Sequence, residues 1–172
     1  MRYGRSCQPF VVIAIAWLVA VGTRSAWQQF GPRLLINTTA SEPYGVYRVR
    51  PVSNLRRGQL VVLPVPTAFA DLVVERGWLP AGWPLLKAVG ALPGDAVCVT
   101  DVAVTVNGTL YGPVYAEDSL GRPMPRVRGC ETVAEGTYWP LSHYADNSFD
   151  GRYVGPQPLA AIVGEARPLW TF

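Results

Sequence analysis

Ionisable side chains are scarce in this chain of 172 residues. Charged residues make up 16%, against about 25% in an average soluble domain, while apolar residues reach 49%. That balance excludes a disordered tail, an acidic solvating chain and a charge-rich coiled coil. The net charge is only +3, so the basic footprint of a nucleic-acid binder is missing. Lysine is nearly absent: of fifteen cationic residues, all but Lys87 are arginine. Histidine occurs once, as His143, so chemistry that needs a titratable nitrogen has few candidates. Internal repeats and low-complexity tracts are lacking too. What the chain does have is 17 Gly and 16 Pro, spread without a collagen-like period. Many short elements and turns follow from that, and a helical bundle does not.

Long apolar runs are limited to one, Phe10 to Gly22, with Arg2 and Arg5 before it and Arg24 behind. A positive flank followed by such a run reads as an export signal. At about 1.5 Å per residue it spans roughly 20 Å, short of the ~30 Å hydrocarbon core. A cleaved signal fits, with Ala20 and Gly22 as the small residues before Thr23. An uncleaved anchor fits equally, with Trp17 and Trp27 near the interfaces. The terminal position and the arginines argue against a buried core helix. Residues 1–35 are therefore expected to be a hydrophobic signal or anchor helix, and residues 36–172 an exported domain. The expected location is the inner membrane with that domain in the periplasm, or the periplasm alone if the signal is removed.

The cysteines agree with an oxidising compartment. Cys7 precedes the apolar run, so it is not a lipoprotein cysteine, which would follow it. Cys98 and Cys130 are the two in the exported part, and an even count there suggests one disulfide. Such a bridge closes a loop of about thirty residues and stabilises by roughly 3–4 kcal/mol in the loop-entropy model. Two buried free thiols are the alternative. With no His near either Cys, no metal site is expected.

From Ile36 on, the pattern is of short strands and turns. Val46–Arg50 alternates and stops at Pro51; Gln59–Leu63 is a buried-strand run ended by Pro64. Phe69–Arg76 is the one helical pattern, closed by Gly77, and Trp78–Pro84 is a rigid apolar loop. Leu85–Val89 is apolar around Lys87. Ala96–Thr100 and Ala103–Val106 read as strands, and Asn107-Gly108 signals a type I′ hairpin into Thr109–Tyr111. Gly112–Gly129 is a Pro- and Gly-rich excursion. Gly136–Leu141 and Leu159–Val163 read as closing strands. The fold class is mostly β, in one domain.

Three clusters carry candidate chemistry. Lys87 lies in the apolar Pro84–Val89 segment, where burial lowers an amine's pKa. Moving it from ~10.4 to near 7 takes about 4.6 kcal/mol, which a packed apolar wall supplies and an exposed site does not. A lysine so placed is a candidate general base, because it can lose its proton and arginine cannot. The bland alternative is a snorkelling strand residue. Asn37–Gly45 is a hydroxyl-rich turn in which Ser41 is a candidate nucleophile and Thr39 a second hydroxyl; a plain Ser/Thr turn is the alternative. His143 competes as a base but has no evident orienting neighbour. In Asp146–Pro156, Asp150 and Arg152 can pair while Ser148 is free to bond elsewhere; as pattern this is a polar turn before a strand.

In order along the chain, these clusters resemble the type I signal peptidases, serine enzymes with a Ser-Lys dyad. Ser41-Glu42-Pro43 is similar to the nucleophile box, usually Ser-Met-x-Pro. Arg57–Val62 resembles a strand box that usually reads Arg-Gly-Asp, with Gln59 departing from the Asp. Lys87–Asp95 resembles the lysine box, with one residue more before Leu92. Asn147–Gly155 resembles the last box, with Gly151 where the family has Ser. The resemblance implies a signal-peptidase-like fold of short, coiled antiparallel sheets. It implies Ser41 as nucleophile, Lys87 as base, and Asp150 as a required acid. Thr39 and the Ser41 amide would serve the oxyanion, and Ser148 would orient Lys87. An ionised Asp150 touching Lys87 would raise its pKa, so Asp150 is expected to act through Arg152 or Ser148. No cofactor is implied. Chain length, the Ser-x-Pro-x-Gly-x-Tyr reading of Ser41–Tyr47 and the single anchor favour the conjugative branch. There the partner is an exported, pilin-like precursor, released by hydrolysis or closed into a ring. The alternatives are a general signal peptidase for preproteins, and a non-catalytic periplasmic β module of a conjugation or export machine.

Overall fold

A computed structural model describes residues 33–172. The expected anchor helix, with Phe10–Gly22, lies outside them. No helix among the described residues is long and apolar enough to cross a membrane.

The described chain is mostly strand. Eleven short strands form two antiparallel sheets. The larger contains β1 (Arg33–Asn37), β2 (Gly45–Arg50), β3 (Leu60–Leu63), β4 (Leu85–Ala91), β9 (Thr137–Pro140), β10 (Gln157–Pro158) and β11 (Gly164–Thr171), in the order β1-β2-β11-β3-β4-β9-β10. The smaller is β7-β6-β5-β8, from β5 (Ala96–Val99), β6 (Ala103–Val106), β7 (Thr109–Pro113) and β8 (Gly129–Thr132). The β6–β7 hairpin turns at Asn107 and Gly108, both with positive φ (51° and 78°), as its Asn-Gly dipeptide predicts.

β4 is the central element. Leu60↔Ala88 and Val61↔Lys87 pair it with β3, and Ala91↔Trp139 pairs it with β9. All seven of its residues are buried, because both its faces are covered; that is why it reads as an apolar run around Lys87 rather than an alternation. Side chains still alternate across the sheet, so Leu86 packs with Tyr47, Val49, Val62 and Ala166, while Leu85 and Val89 pack with Val61, Leu63 and Tyr138. Lys87 shares the parity of Leu85 and Val89. A third cluster joins Ala91, Trp139 and Leu141 to the valines of the smaller sheet.

Three expectations are corrected. Leu159–Val163 is not a strand: Leu159–Ala161 is a 3₁₀ turn after Pro158, and the closing strand is β11, further on. β11 pairs in register with β2 through a bulge between Pro168 and Trp170, and Pro168 had disguised it as a non-strand. The 146–156 cluster is not a plain turn before a strand. It contains a helical turn, Gly151–Val154, whose N-cap is Asp150. Third, β1 begins at Arg33, ahead of the expected start at residue 36. The helical pattern at Phe69–Arg76 forms α1 (Ala70–Glu75), led in by a 3₁₀ turn at Thr67–Phe69.

Candidate active site

The Ser41 turn is shaped by Asn37. The Asn37 Nδ2 donates to the carbonyls of Thr39 (3.0 Å), Glu42 (2.9 Å) and Pro43 (3.0 Å). Its Oδ1 accepts from the Thr39 amide (3.2 Å) and hydroxyl (2.9 Å). This is an Asx-type turn in which one amide side chain replaces a backbone ladder. It brings Thr39 Oγ1 and Ser41 Oγ to 3.3 Å. Tyr47, buried in β2, donates to the Pro43 carbonyl at 2.7 Å and fixes the exit of the turn.

Lys87 arrives from β4. Its side chain is 2% exposed, and Nζ donates to Ser148 Oγ at 3.0 Å. Burial lowers its pKa to about 8; the negative charges of Asp150 and Glu42 offset part of that effect, and Arg152 adds to it. Lys87, Ser148, Ser41 and Thr39 line one cavity of about 590 Å³. Its apolar wall includes Trp78, Phe149, Tyr153 and Met124, which pack as one cluster with Val73 of α1.

The Gly112–Gly129 excursion supplies another wall, with Tyr115, Glu117 and Asp118. It is tied down by Arg76, which meets Asp118 at 3.2 Å and the Pro123 carbonyl at 2.6 Å.

Asp150 and Arg152 form the scaffold behind the cavity. They are 0% and 1% exposed and meet at 2.9 Å. Arg152 also donates to the carbonyls of Pro113, Asp146 and Ser142. Asp150 accepts from the Ser142 amide at 2.8 Å, and the Ser142 hydroxyl donates to the Ser41 carbonyl at 2.6 Å. Asp150 is thus linked to the Ser41 turn through Arg152 and Ser142; no hydrogen bond joins it to Ser148 among the described residues. Gly151 is required by space. A Cβ there would stand 2.7 Å from the Pro140 carbonyl oxygen and 3.0 Å from the Trp139 ring. The hydroxyl of the usual Ser has no room.

The strand box and the far end of the lysine box, away from Lys87, hold the scaffold. Arg57 forms a salt bridge with Asp95, which also accepts from the Leu92 amide (2.8 Å) and from Asn107 (3.0 Å). The strand box, the lysine box and the β6–β7 turn are locked together there. Cys98 and Cys130 face each other across β5 and β8 and are bridged. His143 is not part of the cavity around Ser41; it stacks on Tyr111 with ring centroids 3.5 Å apart. Sequence reasoning passed over Asn37 and Ser142, whose hydrogen bonds hold the Ser41 turn. Of these, only Asn37 at the head of a Ser/Thr turn carried a recognisable signal.

A buried amine bonded to one hydroxyl lines the same cavity as two further hydroxyls, those of Thr39 and Ser41. The signal peptidase family, peptidase S26, matches residues 6–170, and the chain belongs to it. Membership in that family implies a serine peptidase. A conjugal transfer protein TraF of Agrobacterium fabrum is 38% identical over 149 residues, covering 80% of this chain and 82% of that protein. A plasmid transfer protein TraF of Escherichia coli is 33% identical over 169 residues, covering 90% and 94%. A signal peptidase I of Enterococcus faecalis overlaps 66% of this chain and 97% of its own, with a TM-score of 0.40 at 20% identity.

Proposed function

We propose that this chain is a membrane-associated serine endopeptidase that processes an exported precursor, a pilin-like substrate of conjugation, through a Ser41–Lys87 dyad. The observation that carries this reading is the sole lysine of the chain, buried in β4, lining one cavity with Ser41 and holding a pKa of about 8. An amine of that acidity is partly neutral near pH 8 and can take the Ser41 proton as Oγ attacks the scissile carbonyl. Ser148 fixes the direction of Nζ. The Ser41 amide and the Thr39 hydroxyl would then face the developing oxyanion; Thr39 must first release Asn37 Oδ1. The protonated Lys87 returns its proton to the leaving amine, and the acyl-Ser41 ester remains. Water or an amine of the precursor then resolves that ester. Conjugation as the setting rests on the TraF relatives, and a periplasmic location rests on the export signal in the sequence.

The test is a processing assay in cells that co-express a pilin precursor, comparing wild type, Ser41→Ala and Lys87→Ala by intact mass. Shortening by the wild type alone supports the dyad. A product one water lighter than the linear form means ring closure, and the linear mass means hydrolysis. Equal processing by all three folded proteins overturns the reading.

A further inference from the structure

The hydrogen bonds of the Ser41 turn fix which way its hydroxyl protons point. Asn37, the last residue of β1, is 6% exposed, and both polar atoms of its side chain are engaged. Nδ2 faces three carbonyls, so the amino group is on that side and Oδ1 is the atom that meets Thr39. That oxygen carries no proton. Its 2.9 Å contact with Thr39 Oγ1 is a hydrogen bond only if Thr39 supplies the proton. A threonine has one hydroxyl proton, so at the 3.3 Å contact with Ser41 Oγ it can only accept. The resting Ser41 hydroxyl therefore donates to Thr39. Lys87 Nζ donates to Ser148, and no hydrogen bond joins it to Ser41 among the described residues.

We propose that Asn37 is a positioning residue which, through Thr39, latches the Ser41 proton on Thr39 rather than on Lys87, and that a substrate carbonyl releases the latch.

The relay has one direction, from Ser41 to Thr39 and from Thr39 to Asn37. A scissile carbonyl in the oxyanion position offers the Thr39 proton a second acceptor. When the Thr39 hydroxyl turns to it, Asn37 Oδ1 keeps the Thr39 amide at 3.2 Å and is not left unpaired. The three carbonyls on Nδ2 stay held, so the turn keeps its shape. Turning the hydroxyl also withdraws the lone pair that held the Ser41 proton, which is then free to turn to Lys87. One carbonyl thus switches on the oxyanion donor and the nucleophile together, and an empty cavity keeps Ser41 at rest.

This inference rests on the dyad reading, but its test needs neither a precursor nor processing. Ser41→Cys places a titratable thiol in the latch. The full chain in detergent micelles is alkylated with iodoacetamide between about pH 6 and 10, and peptide mass spectrometry reads position 41 apart from Cys7. A neighbour that accepts from the thiol stabilises its neutral form and raises the midpoint; one that donates to the thiolate lowers it. In this background Thr39→Val keeps the shape and removes the acceptor. It should lower the midpoint by roughly half a pH unit, because the contact is long for a hydrogen bond. Asn37→Ala frees Thr39 to donate to the thiolate and should lower it by roughly one unit, since a bond to a charged acceptor is stronger. Added to Thr39→Val, Asn37→Ala should cause no further shift, because it acts through Thr39. Lys87, Tyr115, Glu117, Asp118 and Tyr153, the ionisable groups of the cavity, are common to every variant and cancel in the differences. A midpoint that rises or stays in Thr39→Val overturns the proposal. So does a shift by Asn37→Ala that persists beside Thr39→Val, which would mean altered packing of the turn. If Asn37→Ala does not fold, the direction of the Thr39→Val shift decides alone. Failure of the dyad reading shows separately, as processing that survives Ser41→Ala.

Discussion

The two sheets of this protein differ in what they bury besides apolar side chains. The smaller one, β5 to β8, has a core of Val97, Val99, Val104 and Val106 and a cross-strand disulfide at Cys98 and Cys130. The larger one carries, around β4 and the segments that pack on it, Asn37, Glu42, Lys87, Ser142, Ser148, Asp150 and Arg152, all buried. Burying apolar area stabilises by about 25 cal/mol per Å². Burying ions costs several kcal/mol each before pairing returns any of it. The smaller sheet is held by apolar burial and the disulfide, whereas the larger one, with two apolar clusters of its own, also buries a set of polar groups at a cost in stability. The apolar contacts of Trp139 and Leu141, which belong to both regions, join one to the other. The buried polar groups around β4 coincide with the candidate site, whereas the buried Asp95 locks Arg57 and the β6–β7 turn together.

The largest expected effect comes from breaking the polar scaffold. Arg152→Met leaves Asp150 buried without its cation and removes bonds to three carbonyls. A loss of about 3–5 kcal/mol in urea unfolding is expected, together with loss of precursor processing. A loss below about 1 kcal/mol, within the range of exposed pairs, would mean that the ion pair does not organise the site.

Next comes the smaller sheet. Replacing Cys98 and Cys130 by Ala removes a bridge spanning 32 residues. About 3–4 kcal/mol of stability should be lost. Processing at a temperature where the protein is still folded should remain at the wild-type rate. If processing falls in parallel while circular dichroism reports a folded protein, the two sheets do not divide the labour as described.

How much of this was legible in the sequence follows the same division. Strands with one dominant face or a clear turn, such as Val46–Arg50 and the Asn107-Gly108 hairpin, were readable because period and turn chemistry are local. β11 was not, since Pro168 and a bulge break its pattern and its partners, β2 and β3, lie more than a hundred residues away. Lys87 was legible as an anomaly, a lone lysine in an apolar run. Ser41, Thr39 and Ser148 came from the order of motifs rather than from any one of them. Glu42 and Ser142 were hidden, because a Glu before Pro and a Ser before His look like surface residues until β4 and the Ser41 turn close over them.

The third and smallest effect is a pH dependence that belongs to the polar sheet alone. Lys87 has a pKa of about 8 in the folded protein against an ordinary 10.5. Between those values the unfolded chain holds a proton that the folded chain has released. Stability therefore rises as pH increases through this window, and the gain is lost again as pH falls from 10.5 to 8. The full span corresponds to at most about 3 kcal/mol. The buried phenols of Tyr138 and Tyr153, which burial pushes up, act in the opposite direction above pH 10, because there the unfolded chain loses protons first. The quantity to read is therefore the difference between wild type and Lys87→Met, measured by urea unfolding from pH 7 to 10. That difference should climb steadily in favour of the wild type above pH 8, and the Lys87→Met curve should be nearly flat there. The same measurement on the disulfide-free protein should keep the wild-type slope at lower overall stability. Parallel curves for wild type and Lys87→Met would mean that Lys87 titrates like an exposed lysine, and the contrast between the two sheets would then lose its chemical half.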